Sequence, residues 1–274
     1  MTQPPTGVPS DQVERPGYDN HPAFPQPTSR SILLWRYLDI SKFGWLLQHR
    51  RLFMPIAARL GDPREGSSPS GHIDMWENAV ANARNETERQ QVERNRSFLS
   101  TLAQQMRDYR YFVSCWHMCE HENHAMWRSY TTGNEAVAIA TTYQRLRDCL
   151  PPYLYMGMVR YLDYREDDFP SLNMFERIMH KDRFFSFEQE LRVIATPPFQ
   201  GAPNAEEFSA NVFEKEGVPE FLVYAPPIEP TVLISKIVVH PDASDEFRDS
   251  VNGTCQEHGL PTPERSRRLD EARF

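Results

Sequence analysis

Cysteine is scarce. Four residues (Cys115, Cys119, Cys149 and Cys255) in 274 are too few and too scattered for a disulfide-built scaffold, so a reducing compartment is the simpler expectation. No run of 18 apolar residues occurs, and the first residues lack the charged-then-apolar order of a secretory leader. The chain therefore reads as soluble and cytoplasmic, without a membrane partner. Glycine-rich phosphate loops are missing too: neither GxGxxG nor GxxxxGK[ST] is found, which removes the Rossmann and P-loop readings. The GxSxG elbow of many hydrolases is likewise absent. Nor is there a surplus of positive charge. A net charge of −8 and a pI of about 5.6 give no general electrostatic case for nucleic acid, and the local cluster His49-Arg50-Arg51 does not reverse that. No internal repeat is seen.

What is present is aromatic: 12% Phe, Trp and Tyr in a chain long enough to bury a proper core. Residues 1–30 hold seven prolines and are expected to be a disordered tail, a proline-rich docking motif being the alternative. A single globular domain is expected over 31–260, and a loose tail over 261–274.

The densest stretch runs from Tyr111 to Thr142. Tyr111–Trp116 is an apolar run suited to a buried strand. His117, Glu120, His121, His124, Trp127 and Arg128 follow at helical spacing, Gly133-Asn134 breaks the helix, and Ala136–Ile139 forms a second strand. Upstream, Ile32–Tyr37 reads as a strand carrying Arg36. A helix over Lys42–His49 would pack Phe43, Trp45, Leu46 and Leu47 on a sheet, and Arg51–Ile56 would be the next strand. Met75–Arg110 reads as one or two helices, with Trp76, Val80, Ala83, Phe98, Leu99, Leu102 and Met106 on its buried side.

Downstream, Tyr143–Leu150 and Phe175–Lys181 read as helical and Tyr155–Tyr164 as a strand. Residues 197–220 read as a loop, Phe221–Tyr224 and Leu233–Val239 as strands, and Asp245–His258 as the last helix. The irregular alternation favours an α+β fold with mixed, mostly antiparallel sheets over a doubly wound one.

Two constellations carry chemistry. A strand over Phe187–Ala195 would place Glu188, Glu190, Arg192 and Ile194 on one face; that face is either solvated or, if both faces are covered, its buried carboxylates need a cation such as Arg192 or Arg36. His117-x-x-Glu120-His121 matches the inverted zinc-peptidase pattern, with His124 and Cys119 beside it. That pattern needs a continuous helix, however, and His117 directly follows an apparent strand. No metal is favoured. Cys115 beside His117 reads as core and not as a thiol nucleophile.

In WRYLDISKFGWLL (35–47), LFMPIAARLGDPREGS (52–67), SCWHMCEHENHAMWRSY (114–130), NEAVAIATTYQRL (134–146), VRYLDY (159–164), KDRFFSFEQELRVI (181–194) and SKIVVHP (235–241), the chain resembles domain-of-unknown-function family 2971. The resemblance spans about 34–269. Cys119, His121 and His124 depart from its pattern, which weakens the zinc reading further. More distantly, the order of parts is similar to the ADP-ribosyltransferase fold. That likeness implies NAD as a substrate: Arg36 holding the dinucleotide, Glu190 as the catalytic carboxylate and Glu188 orienting an acceptor, small molecule or protein. Trp116, His117, Trp127 and Tyr130 would then offer the nicotinamide stacking surface. The rivals are a non-catalytic binding domain with a buried network of Trp116, Glu122, Trp127, Glu190 and Arg192, and a metal-dependent hydrolase built on His117, Glu120 and His121.

Overall fold

A computed structural model describes residues 21–62, 64–218 and 221–266. In chain order its elements begin with β1 (Leu33–Asp39), α1 (Ile40–His49), β2 (Met54–Pro55), α2 (Ser70–Ala81), α3 (Glu86–Tyr109), β3 (Phe112–Met118), α4 (His124–Tyr130), β4 (Ala136–Thr142) and α5 (Tyr143–Cys149). They continue with β5 (Tyr155–Met158), β6 (Arg160–Leu162), α6 (Glu176–Met179), β7 (His180–Asp182), β8 (Glu190–Ala195), α7 (Ala205–Ala210) and β9 (Val212–Glu214). The last are β10 (Leu222–Tyr224), α8 (Pro230–Leu233), β11 (Lys236–Val239), α9 (Asp245–Glu257) and β12 (Glu264–Arg265). The fold is α+β. No helix among the described residues is long and apolar enough to cross a membrane.

Seven strands form the main sheet in the order β12-β11-β4-β1-β3-β8-β5, antiparallel throughout except for the β11–β12 edge. The central strands carry near-continuous apolar runs because both of their faces are covered; β8 is buried at every position. One face packs on the main core, to which α1 gives Phe43, Leu46 and Leu47, α5 gives Tyr143 and Leu146, and α9 gives Val251 and Cys255. Two separate clusters cover the other face. At the β4 end, Trp35, Tyr37, Ala136, Ala138 and Ala140 lie under Met126 and Trp127 of α4. At the β8 end, Val113 and Ile194 lie under Ala57, Ile178, Met179 and Phe24.

The sheet parts in its middle. β1 pairs with β4 over its whole length, from Leu33↔Thr142 to Asp39↔Ala136. With β3 it pairs only at Leu34↔Met118 and Trp35↔His117. From there β3 runs back along β8, while β1 leads into α1. Residues 53–56 bridge the gap, with Ile56 paired to Phe112 and the Phe53 carbonyl accepting a hydrogen bond from Arg36 Nη2 at 3.0 Å.

Several local expectations give way to tertiary context. The packed body starts inside the expected tail: Ala23 and Phe24 are 1% exposed, and Phe24 stacks on Tyr155 of β5. Residues 1–20 lie outside the described part. β3 extends through His117 to Met118, and helix resumes only at His124, capped by the Asn123 side chain. His117, Glu120 and His121 therefore do not share a helix as the zinc-peptidase pattern requires. Among the described residues no group of three or more His, Cys, Asp or Glu is arranged to hold a metal ion.

Phe187 and Glu188, expected to start a strand, instead end a 3-10 turn over Arg183–Glu188, and Gln189 closes it in the left-handed region at φ 39°. The expected strand over 155–164 breaks at Val159, and 230–233 is helical. Glu264–Arg265, read as tail, adds an edge strand, while 267–274 lie outside the described part. α3 buries no residue fully, and Phe98 is 66% exposed; its charge-rich sequence makes a largely solvated helix, held to the body by half-buried Leu99, Leu102 and Met106, the last packed on the cluster at the β8 end.

Candidate functional site

Where β1 and β3 part, a cleft of about 320 Å³ enters the sheet between the two clusters of its second face. β1 contributes Trp35, Arg36, Tyr37 and Leu38. β3 contributes Val113, Cys115, Trp116 and His117, and Tyr130, Glu188 and Glu190 close the inner end. Because the strands diverge, side chains that would sit on opposite sheet faces reach one cavity. Arg36 and Glu190 thus line the same space.

The cleft continues into a wider groove of about 760 Å³ through the shared residues Arg36, Leu38, Lys42, Phe53 and Lys215. Its walls are aromatic and charged, with Glu214 and Glu216 among the basic residues. Trp45 meets Phe53 edge-on at 5.2 Å and lies parallel to Phe213 at 6.4 Å, with Lys42, Arg51 and Lys215 around them. Trp45, expected in the helix–sheet core, is only half-buried and faces this groove.

Arg36 is held but not neutralised. Its guanidinium lies 5.6 Å above the Trp116 ring and donates to the Phe53 carbonyl. Among the described residues, no carboxylate lies in ion-pair range of it. Burial pushes its pKa down to about 10, the mark of a cation short of solvent and of a counter-ion, yet one still charged at neutral pH. Lys42, Arg59 and Lys215 line the same cleft; Arg59 and Lys215 both sit over the Phe221 ring, at 5.4 and 5.1 Å.

The inner end is a buried ion network. Glu190 begins β8 and accepts two bonds from Arg192, at 2.8 Å from Nε and 3.0 Å from Nη2. The far edge of Arg192 is held by both oxygens of Glu65, at 2.6 and 2.9 Å, and by the Ile178 carbonyl. Lys181 joins the two carboxylates, 2.5 Å from Glu188 and 3.6 Å from Glu190. Arg192 is 1% exposed and Glu190 3%. The two acids are driven apart. Burial would lift Glu190, but Arg192 and Lys181 outweigh it and hold its carboxyl below the usual range. Burial lifts Glu188, opposed by Lys181 and helped by the neighbouring Glu190, and the balance leaves it above that range.

His117 is 5% exposed, and burial lowers its pKa, so the imidazole is neutral; Nδ1–H donates to the Glu188 carbonyl at 2.5 Å and pins the turn that carries this carboxylate. The Tyr161 hydroxyl accepts the Glu190 backbone N–H at 2.8 Å. Tyr130 lines the cleft with Glu188 and stays 37% exposed. Cys115 has its thiol pushed well above the ordinary value by burial and by Glu190, consistent with core and not nucleophile.

The structure therefore brings together Arg36, Trp116, His117, Tyr130, Glu188 and Glu190. It leaves Trp127 out. That indole is 1% exposed, wedged between Tyr37 and His240 with its N–H on Glu122, so it has no face to offer a ligand. Trp116 does line the cleft, but its ring is the seat of Arg36 and no open stacking surface. Tyr130 and His117 remain as stacking candidates.

Sequence reasoning missed Lys181, Glu65, Arg59, Lys215 and Trp45 as parts of the site. Lys181 carried a usable signal, a lone lysine seven residues before Glu188 in an aromatic run. Lys215, in a stretch read as a loop, carried none.

No protein-family model matches the chain, so the resemblance to family 2971 has no such match behind it, and no curated protein matches either. Among solved structures, DarT of Thermus sp. 2.9 in complex with ADP-ribosylated ssDNA aligns over 90% of this chain and 97% of its own, at 10% identity and a TM-score of 0.36. A likeness of that degree says nothing about activity.

Proposed function

We propose that the cleft binds NAD as a substrate and that the chain is an ADP-ribosyltransferase-like enzyme. The observation that carries this reading is Arg36: a desolvated guanidinium facing a cavity, with no carboxylate in range among the described residues, beside Lys42, Arg59 and Lys215. Arg36 is half-buried, and a charge short of both solvent and a counter-ion is costly unless a ligand supplies the missing charge. The pyrophosphate is that ligand charge, and bidentate donation suits it. A dinucleotide exceeds the 320 Å³ inner cleft, so its adenosine half extends into the groove along Trp45 and Phe53.

The nicotinamide riboside half then reaches Glu188 and Glu190. As the glycosidic bond breaks, its electron pair leaves with the nicotinamide ring, which departs neutral, and positive charge develops at the ribose carbon. Glu190, locked between Arg192 and Lys181, is a fixed anion for that charge, the preorganised electrostatics that costs nothing to arrange during reaction. Glu188, with its lifted pKa, is the better group to take a proton from an acceptor closing on the same carbon.

The bidentate Glu190–Arg192 pair specifically favours a second reading, a binding domain in which this network only holds β8 to its surroundings. Release of nicotinamide from NAD, followed by chromatography, separates the two. The transferase reading expects release by wild type and its loss in Arg36→Ala; a folded wild type that binds NAD but releases none supports the binding domain.

A further inference from the structure

The five charged groups of the inner network do not cancel. Glu65, Glu188 and Glu190 stand against Arg192 and Lys181, joined in one chain of contacts from 2.5 to 3.6 Å. His117, neutral and bonded to the Glu188 carbonyl, adds nothing to that count. The odd charge belongs to Glu65. It is 4% exposed, comes from the 64–66 turn, and spends both oxygens on the edge of Arg192 that faces away from Glu190. Without it, Arg192 and Lys181 would neutralise the two cleft carboxylates. With it, the inner end keeps one unit of negative charge, while the outer cleft carries Arg36, Arg59 and Lys215, beside a Lys42 that is paired with Asp39 at 3.3 Å.

We infer that the inner end selects a cationic ring, and that Glu65, which does not line the cleft, is the specificity-determining residue that leaves it anionic. This rests on the NAD reading and extends it: the site takes a ligand with an anionic bridge at one end and a positive heterocycle at the other. It therefore discriminates oxidised NAD from NADH, which has the same phosphates and a neutral ring. One unit of charge several ångström away in a partly screened site corresponds to roughly tenfold in affinity.

Calorimetry with NAD and with NADH on the wild-type chain tests it directly. The expected result is NAD binding about tenfold tighter, a ratio that narrows to about twofold in Glu65→Gln, where the network is neutral. Should Glu65→Gln fail to fold, Lys181→Met serves from the other side: it makes the network more negative, and the ratio should widen. Equal affinity for the two dinucleotides in the wild type overturns the inference while leaving Arg36-dependent binding intact. A ratio that moves in neither variant overturns the role of Glu65. Failure of both dinucleotides to bind removes the NAD reading and the inference together.

Discussion

At the scale of single residues, Glu190 and Arg192 show how one side chain can belong to both structure and chemistry. Their pair is fully buried and closed by two short bonds, and removing one partner of such a pair strands the other, at a cost of about 3 kcal/mol. Glu190→Gln is accordingly expected to lower the melting temperature and, in the transferase reading, to reduce nicotinamide release by about a hundredfold, the scale of a lost electrostatic stabiliser. Unchanged release beside a lowered melting temperature would assign Glu190 to structure alone. Arg36, Glu188 and Glu190 were legible as site candidates because charge inside aromatic runs is conspicuous. The bonds of Glu65 to Arg192 were not, since those residues lie 127 positions apart and only the folded loop brings them together. Trp127 misled for the opposite reason: an indole near a histidine cluster reads as a site, and its contacts with Tyr37 and His240 make it core.

At the scale of elements, strands buried on both faces were readable and the irregular pieces were not. β1, β3, β4 and β11 follow apolar runs that no helix could bury as well. The 3-10 turn before Glu190 is built from Phe184, Phe185 and Phe187, residues with strong strand preference, and tertiary context overrides it. Its closure at Gln189 in the left-handed region could not be foreseen, because a glutamine carries no signal for that conformation. The strap at 21–25 is another such piece. A Cβ on Gly157 of β5 would lie 2.7 Å from Phe24 Cα and 2.8 Å from its carbonyl carbon, so the strap sits on a strand with no room for a methyl. Gly157→Ala should cost about 1–3 kcal/mol in chemical denaturation by displacing Phe24 from Tyr155 and Phe175; a neutral effect would mean that the strap does not pack there in solution. α3, with no buried residue, is expected to exchange its amide hydrogens well before β1 and β4 do.

At the scale of the whole molecule, the distribution of charge and protons matters most. His21, His72, His117, His180 and His240 all have pKa values lowered from 6.5, burial being the largest cause in each case. The unfolded chain takes up protons at these sites near pH 6.5 and the folded chain does not, so folding stability is full above that pH and falls as pH drops through it. Glu190, held below its ordinary range, adds a further loss at lower pH, partly offset by Glu188, whose raised pKa acts in the opposite sense. Melting temperatures between pH 7.5 and 5 should therefore decline; a flat or rising curve would mean that these imidazoles are not buried neutral. The dinucleotide site proposed around Arg36, where β1 parts from β3, is tested most directly by calorimetric titration of NAD into wild type and Arg36→Ala. Micromolar binding by the wild type, weakened at least a hundredfold in an Arg36→Ala protein that melts as the wild type does, is the predicted result. No heat up to millimolar NAD, or equal affinity in the two proteins, would contradict it.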